Sequence, residues 1–150
     1  MQIGQSVIMQ IDNNVRFRKY IDIALSLHEK DSSNRCQHTA VITYKNRIVS
    51  IGRNSRKTSP FNLYNPKIGT IDGRDITRMA GVCAESAAIK KLRNTTNIPF
   101  HKTKMFVIRI DNNRKVANSK LCYSCASLAR HFEIGEIFYT NKDGNWEKFI

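Results

Sequence analysis

Cysteine stands at the start of two predicted helices, and an apolar strand separates them. Cys83 begins the segment CAESAAIKKLRN, and Cys122 and Cys125 begin the segment CYSCASLARHF, each after a loop. Between the two lies KMFVIRI, whose apolar residues are typical of a central strand. The fold of this chain must therefore combine helices with a sheet and accommodate two helix starts that carry sulfur.

The remaining segments complete the pattern. Residues 14–30 have apolar side chains at helical spacing and predict an amphipathic helix, and HTAVITYKNRIVSIGRN at residues 38–54 predicts a β-hairpin. GEIFYT predicts a fourth strand, NKDG a tight turn and NWEKFI a short fifth strand. The order α, β, β, α, β, α, β, β indicates an α/β fold, with a mixed sheet of about five strands covered by helices.

Length and composition indicate one soluble domain over residues 1–150, since 150 residues that are 41% hydrophobic can bury a core. No stretch has the 18 apolar residues of a membrane span, and the N-terminus lacks the features of a secretory signal. We therefore expect no membrane partner and a cytoplasmic or similarly reducing compartment. There, four cysteines indicate metal binding or catalysis before disulfides.

The chain is strongly basic, with 25 Lys and Arg against 12 Asp and Glu, a net charge of +13. Composition alone fits a phosphate-bearing partner or a solvated surface about equally well. Residues 53–80 show little periodicity and predict a long loop. Long loops inside compact domains usually carry function.

The cysteines at the helix starts fit a zinc site, because helix N-termini stabilise thiolates. Three thiolates leave a tetrahedral Zn²⁺ one position for water, and the CxxC spacing lets Cys122 and Cys125 reach one ion with Cys83. Zinc lowers the pKa of its water towards neutrality. Glu85, one helical step from Cys83, is placed to move the proton as a general acid and base. The alternative for Glu85 is a surface salt bridge.

CAE at residues 83–85, CxxC at residues 122–125 and the strand between them resemble the motifs of the zinc-dependent cytidine/deoxycytidylate deaminase superfamily. The hairpin at residues 38–54 and the segment 118–144 resemble further parts of that family. The similarity covers about residues 36–144, after the N-terminal helix. We judge the combined motif specific, where a lone CxxC would be weak.

The resemblance implies a three-layer α/β/α sandwich, with Zn²⁺ held by Cys83, Cys122 and Cys125 and protons moved by Glu85. It implies hydrolytic attack at C4 of cytosine, which expels ammonia and leaves uracil. The backbone at Ala84 is implied to help hold the pyrimidine.

Asn54, which closes GRN, matches the family's asparagine that contacts the sugar, although capping the hairpin is an equally good alternative. Two positions depart from the family pattern. Leu121 stands where the family usually has proline before the CxxC, which weakens the match but removes no ligand. Arg56 stands where nucleoside deaminases have a glutamate that holds a ribose hydroxyl.

The second departure bears on the substrate. A guanidinium at Arg56 can bind a phosphate with forked hydrogen bonds, where a carboxylate would repel it. Lys57 lies on the same loop, and Arg114 and Lys120 lie on the loop before the CxxC. Basic residues thus gather beside the site and favour a phosphate-bearing substrate. Tyr123 could stack on a base, although core packing is the commoner role.

We therefore expect a deaminase that acts on a cytidine or deoxycytidine nucleoside or nucleotide. One alternative is a cytosine deaminase acting on single-stranded DNA or RNA, with the positive charge along the backbone. Another is a non-catalytic, zinc-stabilised nucleic-acid-binding module, against which Glu85 argues because structural zinc sites have four closed ligands. A homo-oligomer is compatible with the sequence.

The C-terminus carries a topological expectation. NKDG is too short to hold a helix, so the fifth strand should pair antiparallel with the fourth. Within the superfamily this resembles the branch of nucleoside deaminases and some nucleic-acid-acting toxins. The branch that contains deoxycytidylate deaminases has an intervening helix.

Overall fold

The helices and strands follow the predicted order. The computed structural model describes residues 15–28, 37–54, 70–71, 74–75, 83–95, 97–121 and 123–149. The α-helices within them are α1 (Arg18–Leu27), α2 (Ala84–Asn94) and α3 (Tyr123–His131). The strands are β1 (Gln37–Tyr44), β2 (Arg47–Arg53), β3 (Thr70–Ile71), β4 (Arg74–Asp75), β5 (Lys104–Ile110), β6 (Val116–Ala117), β7 (Glu136–Thr140) and β8 (Trp146–Lys148).

Six of the described strands form one mixed sheet, in the order β2-β1-β5-β7-β8, with β6 paired to β5. β1 is antiparallel to both β2 and β5, and β5 is parallel to β7. β2, β5 and β7 therefore run in the same direction, and their carboxyl ends lie along one edge of the sheet. β7 and β8 are antiparallel, which confirms the pairing expected from the short NKDG turn.

Helices cover both faces of the sheet, because alternate side chains of a strand point to opposite sides. In β5, Met105 and Val107 pack with α2 and α3, whereas Phe106 and Ile108 pack with α1. The run KMFVIRI, apolar except for Lys104 and Arg109, thus supplies two cores at once, as buried strands do. The three-layer α/β/α arrangement expected from the sequence is confirmed.

Aromatic rings fill the layer between α1 and the sheet. Phe17 and Tyr20 place their ring centroids 4.7 and 4.0 Å from that of Phe106. Trp146 from β8, which is 1% exposed, lies 5.7 Å from Phe17. This layer joins α1 to the central strand and to the C-terminal strand. Among the described residues, no helix is both long and apolar enough to cross a membrane.

The helix α2 lies directly against β2. A methyl group on Gly52 would lie 2.3 Å from the Ala84 carbonyl oxygen and 2.4 Å from the Ala88 nitrogen, so only glycine permits this approach of the two backbones. Ser50, two residues earlier, donates a hydrogen bond from Oγ to the Ala88 carbonyl at 2.7 Å. The first turn of α2 is thereby fixed at the carboxyl end of β2.

Short elements depart from the sequence-based prediction. The sheet has six strands instead of about five, because β6 lies in what the sequence presents as a polar connection. β3 and β4 pair with each other inside the predicted loop 53–80, and a 3-10 turn covers Phe100–Lys102. Strands of two residues carry too little pattern for periodicity to reveal them.

Gly52→Ala should destabilise the protein more than Gly144→Ala. A methyl group at Gly144, where φ is +79°, would meet nothing closer than 3.6 Å, so that change costs only left-handed backbone strain of about 1 kcal/mol. At Gly52 the methyl group would force β2 and α2 apart, and we expect a loss of about 3 kcal/mol in the free energy of unfolding. Urea denaturation measures both losses, and equal losses would contradict the close approach.

Candidate functional site

The starts of α2 and α3 lie at the same edge of the sheet. β2 and β5 both end at this edge, α2 begins against the end of β2, and α3 follows β5 in the chain. Cys83 at the start of α2 packs against the same buried cluster that contains Leu121 and Cys125 of the α3 segment. The carboxyl edge of such a sheet is where α/β proteins commonly bind ligands.

The two described cysteines occupy the beginnings of the two helices. Cys83 is the N-cap residue of α2 and is half-buried, and its carbonyl oxygen accepts hydrogen bonds from the Ala87 N–H and the Ser86 Oγ, both at 3.0 Å. Cys125 lies in the first turn of α3 and is 1% exposed. Both sulfurs are therefore carried by backbone that the helices hold in place.

The donor set of these residues suits zinc, because thiolate sulfur is a preferred zinc ligand and helix starts stabilise negative sulfur. The third predicted ligand, Cys122, lies outside the described residues. Within the described part of the chain, no three His, Cys, Asp or Glu side chains form a metal-binding group. Cys83 and Cys125 are thus the members of the predicted set whose placement the structure gives.

Glu85 is buried in the first turn of α2, with 6% of its surface exposed. Glu85 is therefore not a solvent-exposed surface charge, and its role in proton transfer remains a prediction. Burying a carboxylate costs free energy unless neighbouring groups compensate, and the N-terminal end of a helix is an environment that favours negative charge. The site therefore combines sulfur from two helix starts with a desolvated carboxyl group.

Asn54 closes the open end of the β1–β2 hairpin. Its Oδ1 accepts the His38 backbone N–H at 2.9 Å, and its own N–H donates to the His38 carbonyl oxygen at 3.4 Å. The capping role, one of the two expected for this residue, is therefore present. A contact with a sugar remains a prediction.

Of the other predicted substrate-binding residues, the structure describes only some. Ala84 is fully buried, and its carbonyl oxygen faces the Cα of Gly52 on β2. Arg56 and Lys57 lie outside the described residues, as does the side chain of Tyr123, so their roles remain predictions.

Arg114 corrects the sequence-based picture of the basic residues. The sequence grouped it with the residues beside the site, but its guanidinium donates to the Leu25 carbonyl at 3.3 Å and lies 3.4 Å from Nδ1 of His28. It therefore binds the C-terminal end of α1, which packs on the other face of the sheet. Lys120, in contrast, is exposed just before the CxxC segment.

A cleft of about 470 Å³ opens beside Lys120 and was not foreseen from the sequence. Its lining residues are Asn118, Lys120, Tyr139, Asn141, Lys142, Asp143 and Glu147. Its two lysines and two carboxylates give the lining of the cleft no net charge. Burial raises the pKa of the Tyr139 phenol above its ordinary 10.0, and Glu147, which accepts a hydrogen bond from the phenol, raises it further. Tyr139 is therefore protonated at neutral pH.

This architecture recurs in solved structures. The apo dCMP deaminase of the cyanophage S-TIM5 matches 86% of this chain and 82% of its own, with a TM-score of 0.50 at 14% sequence identity. The same enzyme in complex with dCMP and dUMP matches 83% of this chain and 80% of its own, with a TM-score of 0.52 at 17% identity. The chain has the dCMP deaminase fold. No protein-family model and no curated protein sequence matches the chain.

The fold expected from the motif resemblance is thereby confirmed. The two structures are dCMP deaminases, a class that the sequence argument placed in the branch with an intervening helix, whereas β7 and β8 here are joined by a tight turn around Gly144. Shared architecture at such low identity establishes the fold alone. The substrate must therefore be argued from the residues of this chain.

Asn54→Ala should lower the free energy of unfolding by about 1 kcal/mol, because the His38 N–H loses its acceptor. Asn54→Asp keeps an oxygen at that position and should restore most of the loss. Urea denaturation of the three proteins measures the difference. If alanine and aspartate were equally destabilising, the capping bond would contribute nothing.

Proposed function

We propose that this protein is a zinc-dependent hydrolytic deaminase that converts cytosine to uracil in a cytidine or deoxycytidine nucleotide. The observation that carries the proposal is the buried Glu85, two residues after Cys83 and in the same region as Cys125. A desolvated carboxyl group beside metal-ligating sulfur is the arrangement that hydrolytic proton transfer needs. The shared fold with a dCMP deaminase supports the reaction class.

In this proposal Cys83, Cys122 and Cys125 hold the metal. Zinc, when bound, would supply Lewis acidity that makes water a nucleophile at neutral pH. The negative charge of three thiolates exceeds the positive charge of Zn²⁺. The N-terminal ends of α2 and α3, which are positive ends of helix dipoles, offset part of the excess. The helices thus serve the chemistry as well as the placement of the sulfurs.

Glu85 moves the proton. Glu85 accepts one proton from the water and passes it to N3 of the ring as the water oxygen adds to C4. It then takes the second proton from the new hydroxyl group and delivers it to the exocyclic nitrogen, so that the C4–N bond breaks, ammonia leaves and the C4 carbonyl of uracil forms. One carboxyl group can serve both steps because it returns to its starting state after each turnover. Its place in the first turn of α2, which packs on β2, keeps it at a constant distance from the Cys83 backbone.

A phosphate on the substrate is supported by the charge of the chain and by the residue types that follow β2 in the sequence. The net charge is +13, and Arg56 replaces the glutamate that would repel a phosphate. The solved dCMP deaminase that shares this fold is in complex with dCMP and dUMP, which are nucleoside monophosphates. We therefore favour a cytidine or deoxycytidine monophosphate over the free nucleoside.

The second candidate is a deaminase acting on single-stranded nucleic acid, and the net charge of +13 favours it. The cleft beside Lys120 adds little to that case, because its two lysines are balanced by Asp143 and Glu147. The third candidate, a zinc-stabilised binding module without catalysis, gives the carboxyl group of Glu85 no part in chemistry and would need a fourth zinc ligand. We therefore rank the nucleotide deaminase first.

Glu85→Gln should abolish deamination while the protein retains about one zinc per chain, because glutamine has the same shape but carries no transferable proton. We expect a decrease in kcat of at least about a hundredfold. Glu136→Gln is the matched control, since Glu136 is a partly exposed carboxylate that contacts Lys104 and Lys148, and it should retain activity. Ammonia release measures turnover, and elemental analysis measures zinc. Undiminished activity of Glu85→Gln would refute the role of Glu85.

A panel of cytosine substrates should separate the candidates. We expect uracil from a cytidine or deoxycytidine monophosphate, less from the nucleosides and least from a cytosine-containing single-stranded oligonucleotide. Turnover confined to the oligonucleotide, with binding that weakens steeply as salt rises, would select the second candidate. Zinc binding without turnover on any substrate would select the third.

A further inference from the structure

We propose that Ser119 and Thr140 are positioning residues for the zinc ligands of α3. Their hydroxyl groups fix the path of the chain as it approaches α3, and so position the start of the helix that carries Cys125. This inference rests on the proposed function, because it concerns the same metal site.

The two residues form one buried hydrogen-bonded unit that spans three segments. Ser119 Oγ donates to the Val107 carbonyl of β5 at 2.7 Å and accepts the Thr140 N–H of β7 at 2.8 Å. Thr140 Oγ1 donates to the Ala117 carbonyl at 2.7 Å, and the two hydroxyl oxygens lie 2.9 Å apart. The Ser119 N–H donates to the Thr140 carbonyl at 2.8 Å. The segment before α3 is thus tied to two neighbouring strands.

Burial makes these contacts rigid. Ser119 is 2% exposed and Thr140 is fully buried, so no water can replace a hydroxyl that is removed without entering the core. A buried polar group that loses its partner suffers the full cost of its desolvation. The bonded arrangement is therefore strongly preferred over any other path of residues 117–119.

The position of the unit in the chain connects it to the metal site. Ser119 stands three residues before Cys122, and Leu121 between them is 7% exposed and belongs to the buried cluster of α2 and α3. Leu121 also occupies the place where proline is usual in the family that the motifs resemble. Proline would fix φ at the start of the helix, and the chain lacks that constraint here. The hydroxyl pair supplies a constraint from the strands instead.

Ligands that are held in place before the metal arrives bind it more tightly, because less conformational entropy is lost on binding. Outer-shell partners of metal ligands change metal affinity by roughly 10- to 100-fold when they are removed. Ser119 and Thr140 bind main chain and each other; they act on the metal ligands through the backbone of residues 117–121. We therefore expect an effect near the lower end of that range.

Thr140→Val and Ser119→Ala remove one hydroxyl each, and Thr140→Ser keeps the hydroxyl as a conservative rescue. Thr103→Val is the matched control. Thr103 is 1% exposed and its Oγ1 donates to the Phe100 carbonyl at 2.6 Å, just before β5 begins. Thr103→Val therefore removes a comparable buried hydroxyl group from a segment that precedes β5 and is not followed directly by α3.

Zinc affinity is measured for each full-length protein by competition with a chromogenic chelator, and the Tm of each metal-free protein is measured beside it. We expect Ser119→Ala and Thr140→Val to bind zinc about tenfold more weakly, and Thr140→Ser and Thr103→Val to stay within about twofold of the parent. The Tm should fall similarly in Thr140→Val and Thr103→Val. Should Ser119→Ala fail to fold, the Thr140 variants and the Thr103 control suffice.

The outcomes separate this inference from the proposed function. A parent protein that binds zinc, together with unchanged affinity in Thr140→Val, would overturn the inference alone. Equal weakening in Thr140→Val and Thr103→Val would also overturn it, because the effect would then be general destabilisation. A parent protein that binds no zinc would overturn the proposed function and the inference together.

Discussion

The contact between the backbones of β2 and α2 is the constraint on which the candidate site depends. Gly52 has no side chain, so the first turn of α2 can rest on the strand, and the Ser50 hydroxyl bond to Ala88 holds it there. Because Cys83 and Glu85 belong to the start of this helix, their backbones can move only together with it. The distance of their backbones from the sheet is set by direct contact of two main chains, with no side chain between them at Gly52.

A different device holds the second helix. α3 follows β5, which is parallel to β7, so its start must lie at the same edge as the end of β2. Topology brings the chain to this edge, and hydroxyl groups of Ser119 and Thr140 bind it there. The two halves of the candidate site are therefore fixed by unlike means, one by the absence of a side chain and one by buried polar bonds. Both use the sheet as the common reference.

The sequence revealed what is local and periodic. KMFVIRI predicts β5 residue for residue, and Cys83 and Glu85 are placed at the start of a helix from composition and spacing alone. Partners distant in the chain could not be found in this way, because nothing in one sequence pairs Ser119 with Thr140. The charge pattern misled at Arg114, whose position next to basic neighbours gave no sign of its contact with α1. The position of the motif residues at helix starts could therefore be predicted from the sequence, whereas the contacts that hold those helix starts in place could not.

The alternation of side chains in β5 separates two very different layers. Aromatic rings around Phe106 fill the space under α1, while Met105 and Val107 face the helices that carry the sulfurs. A shift of this strand by one residue would exchange the two sets and push a phenyl ring towards α2. An insertion or deletion of a single residue within β5 would therefore be intolerable to both layers. The exposed turn at residues 112–115 can absorb such a change, so evolutionary length variation should concentrate there.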